Sequence, residues 1–227
     1  MDENASKNIL DSVKEAYAKI ASEFDATRKT LWPGFKEFQK YIGEGRRVLD
    51  VGCGNGRLSL LVENKKAEYI GTDNNPEFLK IAKKNFPERE FVLGDMLSLP
   101  FDKESFDVVF CVAAFHHLPD TDTRQKALSE MARVMKPGGR IIITSWLFFH
   151  GKYVRYWMKN IFLKFAGKSH LGFGDAMIPW GGGPLRYYHL FSRRELRKLF
   201  QSQDLEIEDM HVMGYSREKN LVIIAKK

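Results

Sequence analysis

The spacing of hydrophobic positions changes along the chain and divides it into a helical entry, an alternating body and a less regular tail. Apolar residues Ile9, Leu10, Val13, Ala16, Tyr17, Ile20, Ala21 and Phe24 recur at the spacing of one helix face, which predicts an N-terminal amphipathic helix. Pro33 and Gly34 interrupt it, and a second short helix is expected from there through Tyr41. Strand-like segments then follow at 48–51, 68–73, 91–93, 106–113 and 141–145, the fourth an apolar run broken only by Asp107, of the kind that fills a strand buried on both faces. Helices are predicted over 76–86, with Asn75 as N-cap, and over 124–135, with Pro137, Gly138 and Gly139 as the stop. This alternation predicts an α/β chain with a Rossmann-like, doubly wound sheet and right-handed crossovers. The segment 150–190 breaks the pattern and reads as an insertion after the fifth strand. Ser192 then caps a helix through Gln201, and segments 205–213 and 220–225 read as a hairpin on the same sheet, making seven strands.

One junction carries chemistry. In RRVLDVGCGNGRLSL, residues 46–60, the first strand runs into Gly52, Gly54 and Gly56, and 57–63 read as the opening turns of a helix. Strand, glycine turn and helix form the first half of a nucleotide-binding unit. The spacing is D-x-G-x-G-x-G, not a dinucleotide fingerprint, and Asp50 would repel a pyrophosphate on the helix N-terminus. An acid at that turn suits a ligand with a cationic end. Asp73 ends the second strand, where a carboxylate accepts from ribose hydroxyls. A ribose and an ammonium without a pyrophosphate describe S-adenosylmethionine. A doubly wound sheet binds its ligand beyond the carboxyl ends of its strands. That rule selects Asp50, Gly52, Gly54, Asn55, Asp73, Asn74, Asp95, Met96, Cys111 and Val112 as cofactor-binding candidates.

Bulk properties add bounds. A length of 227 residues suits a single domain over 1–227, with helices in 1–43 and a basic aromatic insertion in 148–190. No apolar run reaches the roughly 18–20 residues of a membrane span, and the polar start MDENASKN is unlike a secretory signal. Cys53 and Cys111 sit at the ends of expected strands, which suits reduced thiols, no metal site and a cytoplasmic location. The net charge of +7 is unevenly spread. Residues 136–200 hold twelve Lys and Arg against two acids, a net +10, so the remainder carries −3. Such a basic third points to a polyanionic partner, with a plain solvated face as the bland alternative.

DVGCGNG, GTDNN and GDMLSLPF match successive motifs of the class I S-adenosylmethionine-dependent methyltransferases. By that resemblance Asp73 holds the ribose, Asp95 the adenine amino group, and Asp50 acts near the methionine end. Further stretches lie outside the generic motifs: F-x-x-T-R-x-x-x-W-P from Phe24, HHL, DAMIPW, RYYHLFSRRELRKLF and GYSREKNLVIIA. Together they resemble the tRNA wobble-uridine carboxymethyl methyltransferases, including the methyltransferase domain fused to AlkB-like hydroxylases. The likeness covers the chain from about Tyr17 onward. It implies esterification of the carboxylate of 5-carboxymethyluridine in the tRNA anticodon loop, and in eukaryotic members a small zinc-binding activator protein.

The residues suit that reaction. A carboxylate is already ionised at neutral pH and needs a cation to hold it rather than a base. Arg28 and Arg186 are the candidates, since guanidinium grips carboxylate in a fixed plane. His116 and His117 follow the fourth strand, either as a general base and acceptor-side donors or as a structural pair. Trp32, Trp180, Tyr187, Tyr188 and His189 are the expected substrate-binding set, the aromatic ones as stacking surfaces for an extruded uridine. Lys159 and Arg194 are candidate phosphate contacts. The segment 152–168 has no counterpart in the resemblance. It reads either as a grip on tRNA phosphates or as a basic amphipathic helix on an anionic membrane surface. The alternatives are accordingly a methyltransferase for a small or lipid-like acceptor and a non-catalytic tRNA-binding scaffold.

Overall fold

The structure, a computed structural model, describes residues 2–147, 153–215 and 218–227. Lys152, the start of the basic segment, and Ser216 and Arg217 of the GYSREKN stretch lie outside the described residues.

The entry helix is α1 (Glu3–Ala26), capped by the Asp2 carboxylate accepting from the Ala5 amide. It starts earlier than the apolar pattern because its first turns are polar, with Ser6 buried and donating to the Asp120 carboxylate. Val13, Ala16, Ile20 and Ala21 form its buried stripe. The segment Pro33–Tyr41 is a 3-10 helix rather than an α-helix. It buries Phe35 and Phe38, a three-residue spacing that a helix of three residues per turn places on one face.

The alternating body gives β1 (Arg47–Val51), β2 (Glu68–Asp73), α2 (Pro76–Asn85), β3 (Glu90–Leu93), β4 (Phe106–Val112), α3 (Thr121–Val134) and β5 (Met135–Trp146). Two expectations need correction. The helix after the glycine loop is only a 3-10 segment, Arg57–Leu61, which buries Leu58 and Leu61 before the chain turns back through Lys66 at φ 47°. Pro137-Gly138-Gly139 does not form a loop. α3 ends at Val134 and β5 starts at once, with Gly138 and Gly139 held by backbone bonds to Lys227 at the end of the sheet. α3 begins at Thr121 because Asp120 and Thr123 close a capping box.

The insertion forms α4 (Tyr153–Phe165) and a separate antiparallel pair, β6 (Asp175–Pro179) with β7 (Leu185–His189). The chain closes with α5 (Arg193–Gln201), capped by Ser192, and the hairpin β8 (Glu206–Tyr215) and β9 (Glu218–Lys226). The main sheet has seven strands in the order β3-β2-β1-β4-β5-β9-β8. Strands β1 to β5 are parallel, β9 runs antiparallel to β5, and β8 forms the edge.

Alternation along each central strand builds two core layers. Leu49, Val51, Val109, Ile141 and Ile143 point to the side covered by α3 and α5. Val48, Val108, Phe110 and Ile142 point to the side holding Phe35, Phe38, Leu58 and Leu79. The chain runs outward from β1 through β2 to β3, then returns to β4 on the other flank of β1. This topological switch leaves a crevice at the carboxyl ends of β1 and β4.

Candidate active site

A cavity of about 640 Å³ occupies that crevice, roofed by α1 and the β6–β7 pair. Its size suits a nucleotide-sized ligand. Of the ten cofactor candidates, nine line it, while Cys111 is wholly buried in the core behind β4. Gly52 has φ 74°, and a Cβ there would lie 2.5 Å from the Ala114 Cβ. The β1 turn can therefore pass beneath the cavity only as glycine. Gly56, at φ 79°, lies so close to the Phe91 ring that a Cβ would meet it at 2.7 Å.

Asp50 is 2% exposed. Its Oδ2 accepts from the Tyr69 hydroxyl at 2.7 Å, while its buried Oδ1 has no partner among the described residues. Burial, with the nearby Asp73 charge adding to it, pushes the Asp50 carboxyl up to about 7. A buried anion with one oxygen unsatisfied at the cavity wall fits a cationic ligand group. Asp73 accepts from the Gly54 amide at 2.9 Å and the Asn75 amide at 2.9 Å, so it ties the glycine turn to the start of α2. Asn55 donates to Asp25 and to the Arg28 carbonyl, which latches the C-terminal end of α1 over the same turn. Glycine cradle, orphaned carboxylate oxygen and strand-end acid together fit S-adenosylmethionine.

The opposite half of the cavity is aromatic and cationic. Arg28 lies over Phe24 and Trp180, 4.4 and 4.5 Å from their ring centroids. Arg186 lies 4.9 Å from the same Trp180 ring and 5.0 Å from Tyr188, and donates to the Tyr17 hydroxyl at 3.1 Å. Two guanidiniums distant in sequence therefore share one indole ring.

The histidines are fixed by a chain of hydrogen bonds. His117 Nδ1 lies 2.7 Å from the Tyr187 carbonyl, which can only accept, so Nδ1 carries the proton. Its Nε2 then accepts from the Tyr17 hydroxyl at 2.8 Å. The Tyr188 hydroxyl, 3.2 Å away, donates to Tyr17 in turn. Burial, and the Arg186 charge after it, push His117 down to about 3. Burial also holds His116 far below the usual histidine range, and its Nδ1 accepts from the Trp146 amide. Both rings are neutral at physiological pH with their acceptor nitrogens engaged.

The remaining substrate-side candidates divide. Trp32, Trp180 and Tyr188 line the cavity. Trp32 is covered by Arg57 and Phe35, and Tyr188 stacks on Trp146 at 4.2 Å. Tyr187 and His189 do not reach the cavity, because neighbouring residues of β7 face opposite ways. The Tyr187 hydroxyl lies 2.6 Å from Asp175, and His189 spans Asp175 and Glu195 at 2.7 Å each, with Arg124 closing the cluster. Lys159 and Arg194 are exposed on α4 and α5, outside the cavity. Residues not anticipated also line it. Tyr17 lies on the same helix face as Phe24, seven positions on. Trp146 ends β5, where the strand-end rule points. Arg155 and Tyr156 stand on α4.

Comparison with known proteins agrees with this geometry. A family described as a methyltransferase domain matches residues 49–143. A tRNA (carboxymethyluridine(34)-5-O)-methyltransferase of Macaca fascicularis is 35% identical over 147 residues, 64% of this chain but 21% of that protein. The chain thus spans about a fifth of that relative's length. The Schizosaccharomyces pombe protein of the same name is 29% identical, covering 95% of this chain and 96% of its own. An Encephalitozoon cuniculi protein described as a methyltransferase is 34% identical, covering 87% of this chain and 88% of its own. Among solved structures, a SAM-dependent methyltransferase of Methanosarcina mazei superposes with TM-score 0.75 at 25% identity, covering 87% of this chain and 98% of that one. The chain belongs to the class I S-adenosylmethionine-dependent methyltransferases.

Proposed function

We propose that the protein transfers a methyl group to the carboxylate of a 5-carboxymethyl pyrimidine, the wobble uridine of tRNA, forming its methyl ester. The observation that carries this reading is the make-up of the acceptor half. It sets Arg28 and Arg186 against one indole ring, beside two neutral histidines whose acceptor nitrogens are engaged. An alcohol, amine or ring carbon acceptor must lose a proton during transfer, and a histidine held down to about 3 is a poor base for it. A carboxylate arrives ionised and needs only to be held.

Bound S-adenosylmethionine would supply a sulfonium methyl group whose transfer to a carboxylate leaves a neutral thioether and requires no proton to be removed. Asp50 would hold its ammonium end and Asp73 its ribose, with Asp95 and Met96 toward the adenine. Arg28 and Arg186 fix the plane of the acceptor carboxylate so that one oxygen is free to react. Trp180 is the wall along which the pyrimidine lies. The histidines act through structure: His117 positions Tyr17 and thereby Arg186. Relatives named for the same reaction, one matching nearly end to end, support the choice of acceptor.

The test is labelled cofactor incubated with tRNA that carries 5-carboxymethyluridine, with tRNA that lacks it, and with a lipid extract. A small zinc-binding activator protein is added and omitted in parallel. Label entering only the carboxymethylated tRNA supports the reading. Label in the lipid fraction alone would end it in favour of a lipid-like acceptor.

A further inference from the structure

The α4 lobe is not used by the cofactor or the carboxylate clamp, yet it carries four of the seven exposed large hydrophobic side chains among the described residues. Met158, Phe162 and Phe165 fall at i, i+4 and i+7, one face of the helix, and all three are exposed. Phe162 is 73% and Phe165 80% exposed. The turn after α4 brings back Phe173, 62% exposed, with its ring 6.4 Å from Phe165. The opposite face is anchored: buried Asn160 donates to the carbonyls of Gly172 and Asp175, pinning α4 to the start of β6. The aromatic face is thus held outward by a fixed helix.

Charge and position define the occupant. Residues 153–174 contain Arg155, Lys159, Lys164 and Lys168 and no Asp or Glu. Lys159 and Lys168 are exposed, and the Lys164 ammonium lies 5.3 Å from the centre of the Phe173 ring. At the first turn of α4, Arg155 and Tyr156 line the active-site cavity, and the helix runs outward from that rim for 13 residues, roughly 20 Å. Rings interleaved with cations, continuous with a cavity that takes a base, form a platform for unpaired nucleotides. Bases stack on the rings and phosphates meet the lysines.

We propose that the outer face of α4 and the 166–174 turn dock the single-stranded RNA that flanks the acceptor nucleotide. This inference rests on the tRNA reading above. An anionic bilayer would meet the same charges, but it has no need of a surface continuous with the cavity rim.

The experiment uses the full chain and three probes: an unmodified anticodon stem-loop RNA, anionic phosphatidylglycerol vesicles, and the free nucleoside 5-carboxymethyluridine. The variants are Phe162→Ser/Phe165→Ser/Phe173→Ser and Lys159→Gln/Lys168→Gln, all at exposed positions. Anisotropy should show the aromatic variant binding the stem-loop at least fivefold more weakly for each base that stacked. The lysine variant should lower the slope of log affinity against log salt by about 1.4, near 0.7 for each phosphate contact. Both should methylate the free nucleoside at the wild-type rate. Unchanged stem-loop affinity in both variants overturns the docking surface, and so does vesicle binding that the variants abolish while RNA binding stays. If wild-type protein methylates the nucleoside but the variants bind RNA normally, the acceptor reading stands and the docking surface falls. If the variants lose RNA binding but no nucleoside is methylated, the docking surface stands and the acceptor reading falls.

Discussion

Replacing Asp50 with Asn should make the ligand-free protein more stable and a poorer binder of its cofactor. Burial moves this carboxyl from an ordinary 3.8 to about 7. An acid whose folded pKa is raised binds more protons folded than unfolded between those values, so stability falls as pH rises through that window. At 1.36 kcal/mol for each pH unit, the full interval corresponds to about 4 kcal/mol at pH 8, before any relaxation of the surroundings. Asn keeps an oxygen for the Tyr69 hydroxyl and removes the charge. A gain of about 2–4 kcal/mol is expected at pH 8, or on the order of 4–15 °C in Tm for a chain of this size. The gain should shrink to less than half at pH 5 and vanish only near pH 3, below both values, where wild-type Asp50 is protonated in the folded and the unfolded state alike. Cofactor affinity should meanwhile drop at least tenfold, through loss of a buried ion pair to the ammonium. Thermal unfolding across pH, with and without S-adenosylmethionine, reads both effects. A variant that is no more stable at pH 8, or whose gain does not depend on pH, would refute the reasoning.

Other outcomes follow from the same geometry. Asp73→Ala should weaken cofactor binding at least tenfold by calorimetry, since two ribose bonds at about 1 kcal/mol each are lost; unchanged affinity would refute the ribose role. Because Asp73 also accepts from the Gly54 and Asn75 amides, this variant should lose about 1–3 kcal/mol of stability as well. Arg186→Leu and Arg28→Leu should each lower methyl transfer roughly ten- to a hundredfold with cofactor affinity nearly unchanged, and Lys variants should recover only part. A loss confined to cofactor binding would move that arginine to the methionine carboxylate. At saturating cofactor the rate should be flat from pH 6 to pH 9, because burial keeps His116 and His117 neutral throughout; a limb rising with pH near 6.5 would restore a histidine base.

The parallel strands are legible because each central one buries both faces, so 108–112 shows as an unbroken apolar run. Boundaries failed where local signals conflicted with the sheet. Proline and two glycines usually end a helix into a loop, but here pairing to β9 and Lys227 draws them into β5. Nine of the ten cofactor candidates line the cavity because they sit in the turns right after strands. The acceptor half was harder, since it is assembled from α1, β5, α4 and β7 across the insertion. Within Arg186, Tyr187, Tyr188 and His189 only alternate residues reach the cavity, a consequence of the two-residue period that the aromatic composition concealed. Tyr17 was counted only as an apolar helix position, yet its hydroxyl joins His117, Tyr188 and Arg186.

The central claim is that the acceptor is a carboxylate, and the product bond tests it directly. Carboxymethylated tRNA is methylated with labelled cofactor and digested to nucleosides. The modified wobble nucleoside is then identified by mass spectrometry before and after mild alkali. A methyl ester gains one methyl group on the side-chain carboxylate and releases it as methanol in alkali, restoring 5-carboxymethyluridine. That is the predicted result. A label that survives alkali, on ribose, ring nitrogen or ring carbon, would contradict the account.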